Sequence, residues 1–260
     1  MKYLILGPGS TGFFALFGYL MKLHDKDKLQ DLEEISGSSA GSLLAFCYLI
    51  GKNNLPKLKE YVFSVDVGSA LKIKLKNILK FYGLVDKEVV KKEISSLCHE
   101  FTELWDVSFE QLYQMTGIKF HVPAYSLKTK CNVYFSVDSH PSKSVVDVIC
   151  SSISIPLIFP PYDGFLDGSI AEEIPWLPFA DKPYDECLAI RISGETEEIH
   201  TYDSFIRYIM DLINVIYYMR DKNKKIPTVI VDTGKLNTLN FQITHDDKLK
   251  AFVSGYSTML

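Results

Sequence analysis

This sequence of 260 residues lacks paired cysteines, long apolar runs and an excess of either charge. Its five cysteines are scattered and form no CxxC pair, which argues against a disulfide framework or a zinc site and favours reduced thiols in a cytoplasmic protein. The net charge of −4 gives no electrostatic reason to expect nucleic-acid binding. Because no stretch approaches the roughly 18–20 apolar residues of a membrane span, we predict no transmembrane helix.

The chain also lacks a signal-peptide pattern, internal repeats and linkers. Glycines and Pro8 interrupt the apolar residues near the N-terminus, and no small-x-small cleavage site follows Phe13–Leu20. The length suits one α/β domain, and no low-complexity tract divides it. We therefore predict a single domain over residues 1–260 without a signal peptide.

What the sequence does contain is an alternation of apolar runs with glycine turns. Lys2–Leu6 and Leu32–Ser36 are predicted strands, and a glycine-rich turn and a helix follow each of them. This alternation indicates an α/β fold with a mostly parallel sheet. Residues 54–116 have a helical pattern, and a long helix is expected over Tyr202–Asp221. Further strands are predicted at Phe120–Ala124, Val133–Val137, Leu157–Phe159, Leu188–Ile192 and Val229–Val231.

The first glycine turn, Gly7-Pro8-Gly9-Ser10-Thr11-Gly12, allows three interpretations. Its GxGxxG spacing is typical of dinucleotide-binding turns, and Glu33 and Glu34 follow at the distance of a ribose-binding acid. The same turn can direct backbone N–H groups at the oxyanion of a tetrahedral intermediate. A tight connection without any ligand also uses glycines. The spacing alone leaves all three open.

The second glycine turn, Gly37-Ser38-Ser39-Ala40-Gly41, lies between a strand and a helix, where a nucleophile elbow is found. Because the nucleophile of a GxSxG turn is its third residue, we predict Ser39 rather than Ser38. The alternative is a small-residue turn that only packs the helix onto the sheet. Glu33 and Glu34 then stand near the beginning of the strand and not at the tip where ribose binds, which weakens the dinucleotide interpretation.

A serine nucleophile needs an adjacent base, and the sequence offers two kinds. Asp167 follows an expected two-residue strand and begins an Asp-Gly turn, after the predicted hairpin turn Asp163-Gly164. An Asp-Gly pair taken alone is usually only a turn. The histidines stand in no recognisable motif and are expected at the surface or at helix ends, with His245 the best candidate base among His24, His99, His121, His140, His200 and His245.

Three motifs in this order, GPGSTG, GSSAG and Asp167-Gly168-Ser169, resemble those of the patatin-like phospholipase family. The resemblance covers nearly the whole chain and includes residues 150–161, whose small residues and prolines precede the Asp-Gly pair. It implies a three-layer α/β/α fold with a central, mostly parallel sheet. It also implies hydrolysis of acyl esters of phospholipids, lysophospholipids or neutral lipids at a membrane or micelle surface, without a metal or other cofactor.

The resemblance also implies roles for individual residues. The family's catalytic serine corresponds to Ser39, and its aspartate, the proton acceptor, corresponds to Asp167. The oxyanion donors then correspond to backbone N–H groups in the two glycine turns, at Gly9, Ser10 and Ala40. The glycines that shape the three motifs are Gly7, Gly12, Gly37, Gly41 and Gly168.

Three departures from the family pattern bear on activity. The first motif of the family usually reads Gly-Gly-Gly-x-(Arg or Lys)-Gly, whereas Pro8 and Thr11 occupy two of these positions here. Proline has no N–H group and cannot donate to an oxyanion. Ser169 replaces a Gly or Ala, which is a mild change. A catalytically weakened, lipid-binding member of the family is therefore an alternative to an active hydrolase, beside the nucleotide-dependent oxidoreductase.

An amphipathic segment supplies a candidate membrane contact. Its apolar residues share one helical face and its lysines another. The segment either docks on an anionic membrane surface or, as is more common, forms a lysine-coated helix on the core. The apolar residues are Leu71, Leu75, Ile78, Leu79 and Tyr82, and the lysines are Lys72, Lys76 and Lys80.

Overall fold

The computed structural model describes residues 1–71, 74, 76–193, 208, 212, 215, 226–233, 236 and 241–259. These residues contain a seven-stranded sheet in the order β4-β3-β2-β1-β6-β7, with β5 paired to β3. The pairs β1–β2, β1–β6, β2–β3 and β6–β7 are parallel, and β3 pairs antiparallel with β4 and β5. The strands are β1 (Tyr3–Leu6), β2 (Glu34–Gly37), β3 (Lys119–Ser126), β4 (Cys131–Phe135), β5 (Phe165–Leu166), β6 (Cys187–Ser193) and β7 (Thr228–Asp232).

Helices flank this sheet, so the predicted α/β fold with a mostly parallel sheet is confirmed. The helical pattern of residues 54–116 is confirmed as five helices, the last of which ends at Thr116 and is followed by Gly117 in a left-handed conformation. In the described residues the helices are α1 (Phe13–Asp25), α2 (Ala40–Gly51), α3 (Leu55–Ser64), α4 (Val67–Ala70), α5 (Lys76–Phe81), α6 (Lys87–Thr102), α7 (Phe109–Thr116), α8 (Val145–Ser152) and α9 (His245–Ser257).

Strand β1 is buried on both faces, as a central strand of a parallel sheet should be. Leu4 and Leu6 face the larger core, which helices α1 and α2 cover. Tyr3 and Ile5 face a smaller apolar cluster that includes Phe179. Both faces of the sheet are therefore apolar at β1, and this fixes the position of the glycine turn that follows it.

The strand predicted at Leu157–Phe159 is wrong. Leu157 has a left-handed backbone, with φ 67°, and forms only one isolated bridge, to Gly83. Ile158 and Phe159 are buried, so the apolar run reflects burial of a turn instead of membership of the sheet. A short apolar run has the same composition in a buried turn as in a strand, and periodicity does not separate the two.

Several expected features fall outside the described residues. Of the helix expected over Tyr202–Asp221, only Tyr208, Leu212 and Val215 are described, and His200 lies outside as well. Within the described ranges, no helix combines the length and the apolar character that a bilayer crossing requires. All five cysteines are described as free thiols.

The amphipathic segment does not form the one continuous helix that was expected. Helix α5 covers only Lys76–Phe81, and Lys72 and Leu75 lie outside the described residues. Ile78 packs against the core, whereas Leu79 and Tyr82 are exposed. The expected single apolar face is therefore divided, because the core takes up only one side of a short helix.

Candidate active site

The second glycine turn is a sharp strand-to-helix connection. Strand β2 ends at Gly37, and Ser39, at the N-cap of α2, has φ 52° and ψ −130°. A left-handed φ in a residue with a Cβ costs about 1–3 kcal/mol, so contacts around the turn must hold it. The Ser39 carbonyl accepts a hydrogen bond from Ser42 Oγ at 2.6 Å, and the Ser38 N–H donates to the Leu6 carbonyl at 3.2 Å. These bonds fix the turn between α2 and the end of β1.

Glycine is required where the two turns approach each other. A Cβ atom at position 41 would lie 2.4 Å from the Leu6 carbonyl oxygen and 2.5 Å from that of Gly7. A Cβ atom at position 37 would lie 2.4 Å from the Gly41 carbonyl oxygen. These distances are too short for non-bonded atoms. Glycine at position 41 therefore lets the turn after β2 reach the end of β1, and glycine at position 37 lets the same turn close on itself.

The first glycine turn leaves backbone N–H groups available. Gly7 N–H donates to the Ile190 carbonyl at 2.8 Å, and Gly12 N–H donates to the Gly9 carbonyl at 2.7 Å. Among the described residues, the N–H groups of Gly9 and Ser10 donate to no carbonyl or side chain. Ser10 has a left-handed φ of 46°, and its buried hydroxyl has no hydrogen-bond partner in the same part of the chain. The turn therefore presents polar donors beside the second turn.

Asp167 is fully buried directly after β5. Its Oδ1 accepts hydrogen bonds from the Ser169 N–H at 2.8 Å and from the Ser169 hydroxyl at 2.5 Å. Its backbone N–H donates to the Ser154 carbonyl at 2.9 Å. Asn132 on β4 donates from Nδ2 to the Gly168 carbonyl at 2.9 Å. The carboxylate therefore has a fixed position, set by neutral hydrogen-bond donors and by backbone contacts on both sides.

Ser152, the last residue of α8, connects the two motifs. Its hydroxyl accepts the Ser39 backbone N–H at 3.1 Å, and its carbonyl accepts the Gly168 N–H at 3.1 Å. The turn of Ser39 and the turn of Asp167 are thus bonded to one residue, although 128 positions separate them. The sequence analysis did not identify Ser152, and the only available signal was its place in the small-residue stretch before the Asp-Gly pair.

An apolar cavity of about 200 Å³ begins at the two glycine turns. Ser10 and Thr11 of the first turn and Ser39 and Ala40 of the second line it together. It continues along one face of α2, where Leu43 and Cys47 line it, between residues of α3 and α6. The other lining residues are Phe13, Phe14, Tyr61, Val62, Val65, Val67, Leu71, Glu93, Ile94, Leu97, Ile153, Ile155, Phe159 and Phe241.

The thiol of Cys47 belongs to the wall of this cavity. Burial raises the pKa of Cys47 to about 12, because the interior disfavours the charged thiolate. At neutral pH the thiol is therefore protonated and behaves as a small apolar group. Along α2, the Cys47 side chain lies two turns beyond Ser39, about 12 Å by helical rise.

A charged cluster lies at the opposite edge of the sheet, where the strands begin. Glu34, the first residue of β2, accepts a hydrogen bond from His121 Nε2 at 2.7 Å and pairs with Lys182 Nζ at 3.2 Å. The hydrogen bond with His121, followed by the one with Lys182, lowers the pKa of the Glu34 carboxyl. The Glu34 carboxylate is therefore already paired, and it lies far from the tip of β2. Both facts argue against a ribose-binding role for Glu34.

The histidines that the structure describes lie outside the candidate site. His121 is buried near the beginning of β3, so the expectation of a surface position was wrong for it, because Glu34 provides a buried partner. His99 stacks on Trp105, and His245 is the first residue of α9 and contacts the Phe63 ring. None of the five histidines that the structure describes lines the cavity. Within the described residues, no group of three or more His, Cys, Asp or Glu side chains is arranged to hold a metal ion.

Comparisons with known proteins point to one family. The sequence model of the family described as patatin-like phospholipase matches residues 4–180, which include both glycine turns and Asp167. A comparison with curated proteins found no significant match.

Among solved structures, VipD from Legionella pneumophila is similar at a TM-score of 0.66 and 14% sequence identity, over 99% of this chain and 65% of VipD. ExoU, solved in complex with SpcU from the type III secretion system of Pseudomonas aeruginosa, is matched at 15% identity and a TM-score of 0.48, over 98% of this chain and 52% of ExoU. The chain thus spans less than two thirds of the length of these proteins, and the likeness to VipD concerns the fold.

Proposed function

Because the chain belongs to the patatin-like phospholipase family, we propose that it is a serine acyl hydrolase in which Ser39 and Asp167 form the catalytic dyad. Family membership supports lipid acyl hydrolysis in general. The dyad and the substrates are proposed on the geometry. The observation that carries the proposal is the pair of hydrogen bonds to Ser152, which joins the turns of Ser39 and Asp167 beside an apolar cavity.

The proposed reaction proceeds in two steps, acylation of Ser39 and hydrolysis of the acyl-enzyme. Asp167 accepts the proton of the Ser39 hydroxyl while the Ser39 oxygen attacks the ester carbonyl carbon. The tetrahedral intermediate then expels the alcohol, which takes that proton from Asp167. Water then attacks the acyl-enzyme, with Asp167 again accepting a proton, and Ser39 recovers its proton as the fatty acid leaves. A carboxylate is a weak base, so positioning of the serine must supply much of the acceleration.

The first glycine turn would stabilise the oxyanion of both tetrahedral intermediates. The N–H groups of Gly9 and Ser10 make no other hydrogen bond among the described residues, and Ala40 follows the nucleophile at the N-terminus of α2. Pro8 supplies no donor. Loss of one oxyanion donor costs about 10²–10³-fold in rate, so the turnover of this chain is expected to depend heavily on the donors that remain.

The apolar cavity along α2 is proposed to hold the acyl chain of the substrate. It begins at Ser39 and its lining is nearly all apolar, which suits a fatty-acyl group better than a polar one. We therefore propose phospholipids, lysophospholipids or related lipids at a membrane or micelle surface as substrates. The scattered, unpaired cysteines support a cytoplasmic location, which we propose as well.

A catalytically weakened, lipid-binding protein is the second candidate. Pro8 and Thr11, which depart from the family's first motif, favour it. It predicts that the cavity binds fatty acid without ester turnover.

Hydrolysis of p-nitrophenyl acyl esters and of phospholipid vesicles tests the dyad. Ser39→Ala and Asp167→Asn are each expected to lower kcat/KM at least about 10⁴-fold, because a nucleophile and its base act as one unit. A fluorophosphonate should label the wild type at Ser39 and leave Ser39→Ala unlabelled.

Ser38→Ala is the matched control for this test. Ser38 is the adjacent residue and is equally buried, and its hydroxyl has no hydrogen-bond partner in the described part of the chain. We expect it to keep activity within about tenfold of the wild type. Turnover that survives Ser39→Ala would refute the dyad, and fatty-acid binding without turnover in the wild type would favour the second candidate.

A further inference from the structure

Three large apolar side chains are exposed at the end of α5. Leu79 is 89% exposed, Tyr82 70% and Phe81 47%. Single exposed apolar side chains are ordinary, but three within four positions form the kind of patch that marks a contact with a protein or a membrane. We call the described residues between 74 and 82 the α5 surface.

The α5 surface is held firmly on the body of the protein. Ile78 packs against the core, and Leu84 N–H donates to the Leu157 carbonyl at 3.0 Å. A Cβ atom at Gly83 would lie 2.3 Å from the Pro160 nitrogen, so the chain runs directly against its neighbour there. The exposed side chains are therefore presented from a fixed base and need little ordering before they bind.

Positive charge surrounds these apolar side chains. A cleft of about 460 Å³ is lined by Lys74, Lys76, Asn77, Lys80, Phe81 and Asp86. Among the described residues, the three lysines form no ion pair. The Lys80 ammonium group lies 4.9 Å from the centroid of the Phe81 ring, so charge and apolar surface are adjacent. This combination fits an anionic partner that also has an apolar phase.

The cleft also contains a buried polar side chain. Asn77 is only 7% exposed and is one of the residues that line the cleft. An amide N–H group and ammonium groups together suit the oxygens of a phosphate.

The α5 surface lies beside the cavity that begins at Ser39. Leu71, three positions before Lys74, lines that cavity, as does Phe159. Phe159 is followed by Pro160, against which Gly83 packs. A lipid bound at the α5 surface would therefore lie next to the acyl cavity, because neighbouring residues of the chain line both.

We propose that the α5 surface docks the protein on an anionic phospholipid bilayer. The lysines and the Asn77 amide contact lipid phosphates, and Leu79, Phe81 and Tyr82 enter the interface between head groups and acyl chains. The inference rests on the proposed function in one respect: docking would supply bilayer lipid to Ser39. Binding itself does not require catalysis.

Co-sedimentation with vesicles tests the docking, in the Ser39→Ala background so that the lipid stays intact. The parent protein should bind phosphatidylcholine vesicles that contain about one third phosphatidylserine more tightly than phosphatidylcholine alone, and high salt should weaken this binding. Lys76→Glu combined with Lys80→Glu should lower the affinity about 30-fold or more. Leu79→Ser combined with Tyr82→Ser should weaken binding to both kinds of vesicle.

Lys26→Glu combined with Lys28→Glu is the matched control. It changes the net charge equally at two exposed lysines after the end of α1, and it should leave vesicle binding within about twofold. With Ser39 restored, both lysine pairs should keep the wild-type melting temperature and the wild-type rate on a soluble short-chain ester. This separates loss of docking from misfolding and from failure of the proposed dyad.

Two results would overturn the docking proposal. One is equal loss of vesicle binding in both lysine pairs, which would mean that net charge alone attracts the protein. The other is absence of vesicle binding by the parent protein. If inorganic phosphate nevertheless bound the cleft, and Lys76→Glu with Lys80→Glu abolished that binding, the cleft would be a site for soluble anions.

Discussion

The two edges of the central sheet handle polar groups in opposite ways. Where the strands begin, the Glu34 carboxylate is held by His121 and Lys182. Where β1 and β2 end, the chain makes glycine turns with left-handed residues, and the nearby Asp167 carboxylate accepts hydrogen bonds from a backbone N–H and a hydroxyl. At the first edge a histidine and a lysine contact the carboxylate, whereas at the second edge a backbone N–H and a hydroxyl of Ser169 donate to it.

This difference indicates that residues at the beginning of the strands stabilise the fold, whereas residues at the ends of the strands serve the proposed chemistry. A carboxylate in a salt bridge has little tendency to take up a proton, so the Glu34 cluster suits a structural role. Strained backbone and close glycine contacts cost stability, and they persist where the surrounding structure enforces them. Substitutions at the beginning of the strands should therefore change stability alone, and substitutions at the ends of the strands should change activity as well.

The largest effect is expected from Gly41→Ala at the ends of the strands. The new methyl group would meet the Leu6 carbonyl oxygen at 2.4 Å, and backbone atoms cannot yield as a side chain can. We expect the free energy of unfolding in urea to fall by about 3 kcal/mol or more, with ester hydrolysis lost.

Gly117→Ala is the control for this substitution, because a Cβ atom there meets nothing within 4 Å and adds only left-handed strain. It should cost about 1–2 kcal/mol and leave activity unchanged. Because Gly41 has no positive φ, a loss there no larger than that at Gly117 would mean that the close approach of the Leu6 carbonyl does not require glycine.

The next effect concerns the beginning of the strands. Glu34→Gln should lower the free energy of unfolding at pH 7 by about 2 kcal/mol, because it removes a charge-assisted hydrogen bond with His121. Hydrolysis of a soluble ester should stay within about twofold of the wild type. A large fall in kcat would contradict the division between the two edges.

The stability difference between the wild type and Glu34→Gln should depend on pH in a defined direction. The folded protein lowers the pKa of Glu34 below its ordinary value of 4.5, so its stabilisation is complete above that pH and is lost as the pH falls through the folded pKa. The gap in unfolding free energy between wild type and Glu34→Gln should therefore narrow below about pH 4.5. A gap that widens on acidification would exclude the carboxylate as its source.

The smallest effect is expected from Ser169→Ala beside Asp167. The hydroxyl donates to the carboxylate and favours its ionised form, so its removal should move the acid limb of the kcat/KM profile to higher pH. The plateau rate should change less than about tenfold, because the Ser169 N–H still positions the carboxylate. Profiles that superimpose would show that the hydroxyl only fills space.

Local signals predicted much of the fold and the identity of the candidate residues. The strand that contains Glu34 and the turn around Ser39 follow from apolar runs and glycines that act within a few residues. The strand assigned to Leu157–Phe159 was wrong, because an apolar run shows that a segment is buried without showing what it pairs with. His121 was misplaced for a related reason, since its partner Glu34 is 87 positions away.

The sequence by itself determined the βα turns, because glycine and serine at fixed spacing restrict the backbone locally. Only the tertiary structure decided that Ser152 joins the turn of Ser39 to that of Asp167. Hydrogen bonds between distant segments depend on how the sheet and α8 pack, and this packing leaves no periodic pattern in the chain. The same holds for the lysines of α5, whose charge gains meaning only beside exposed apolar side chains and a buried Asn77.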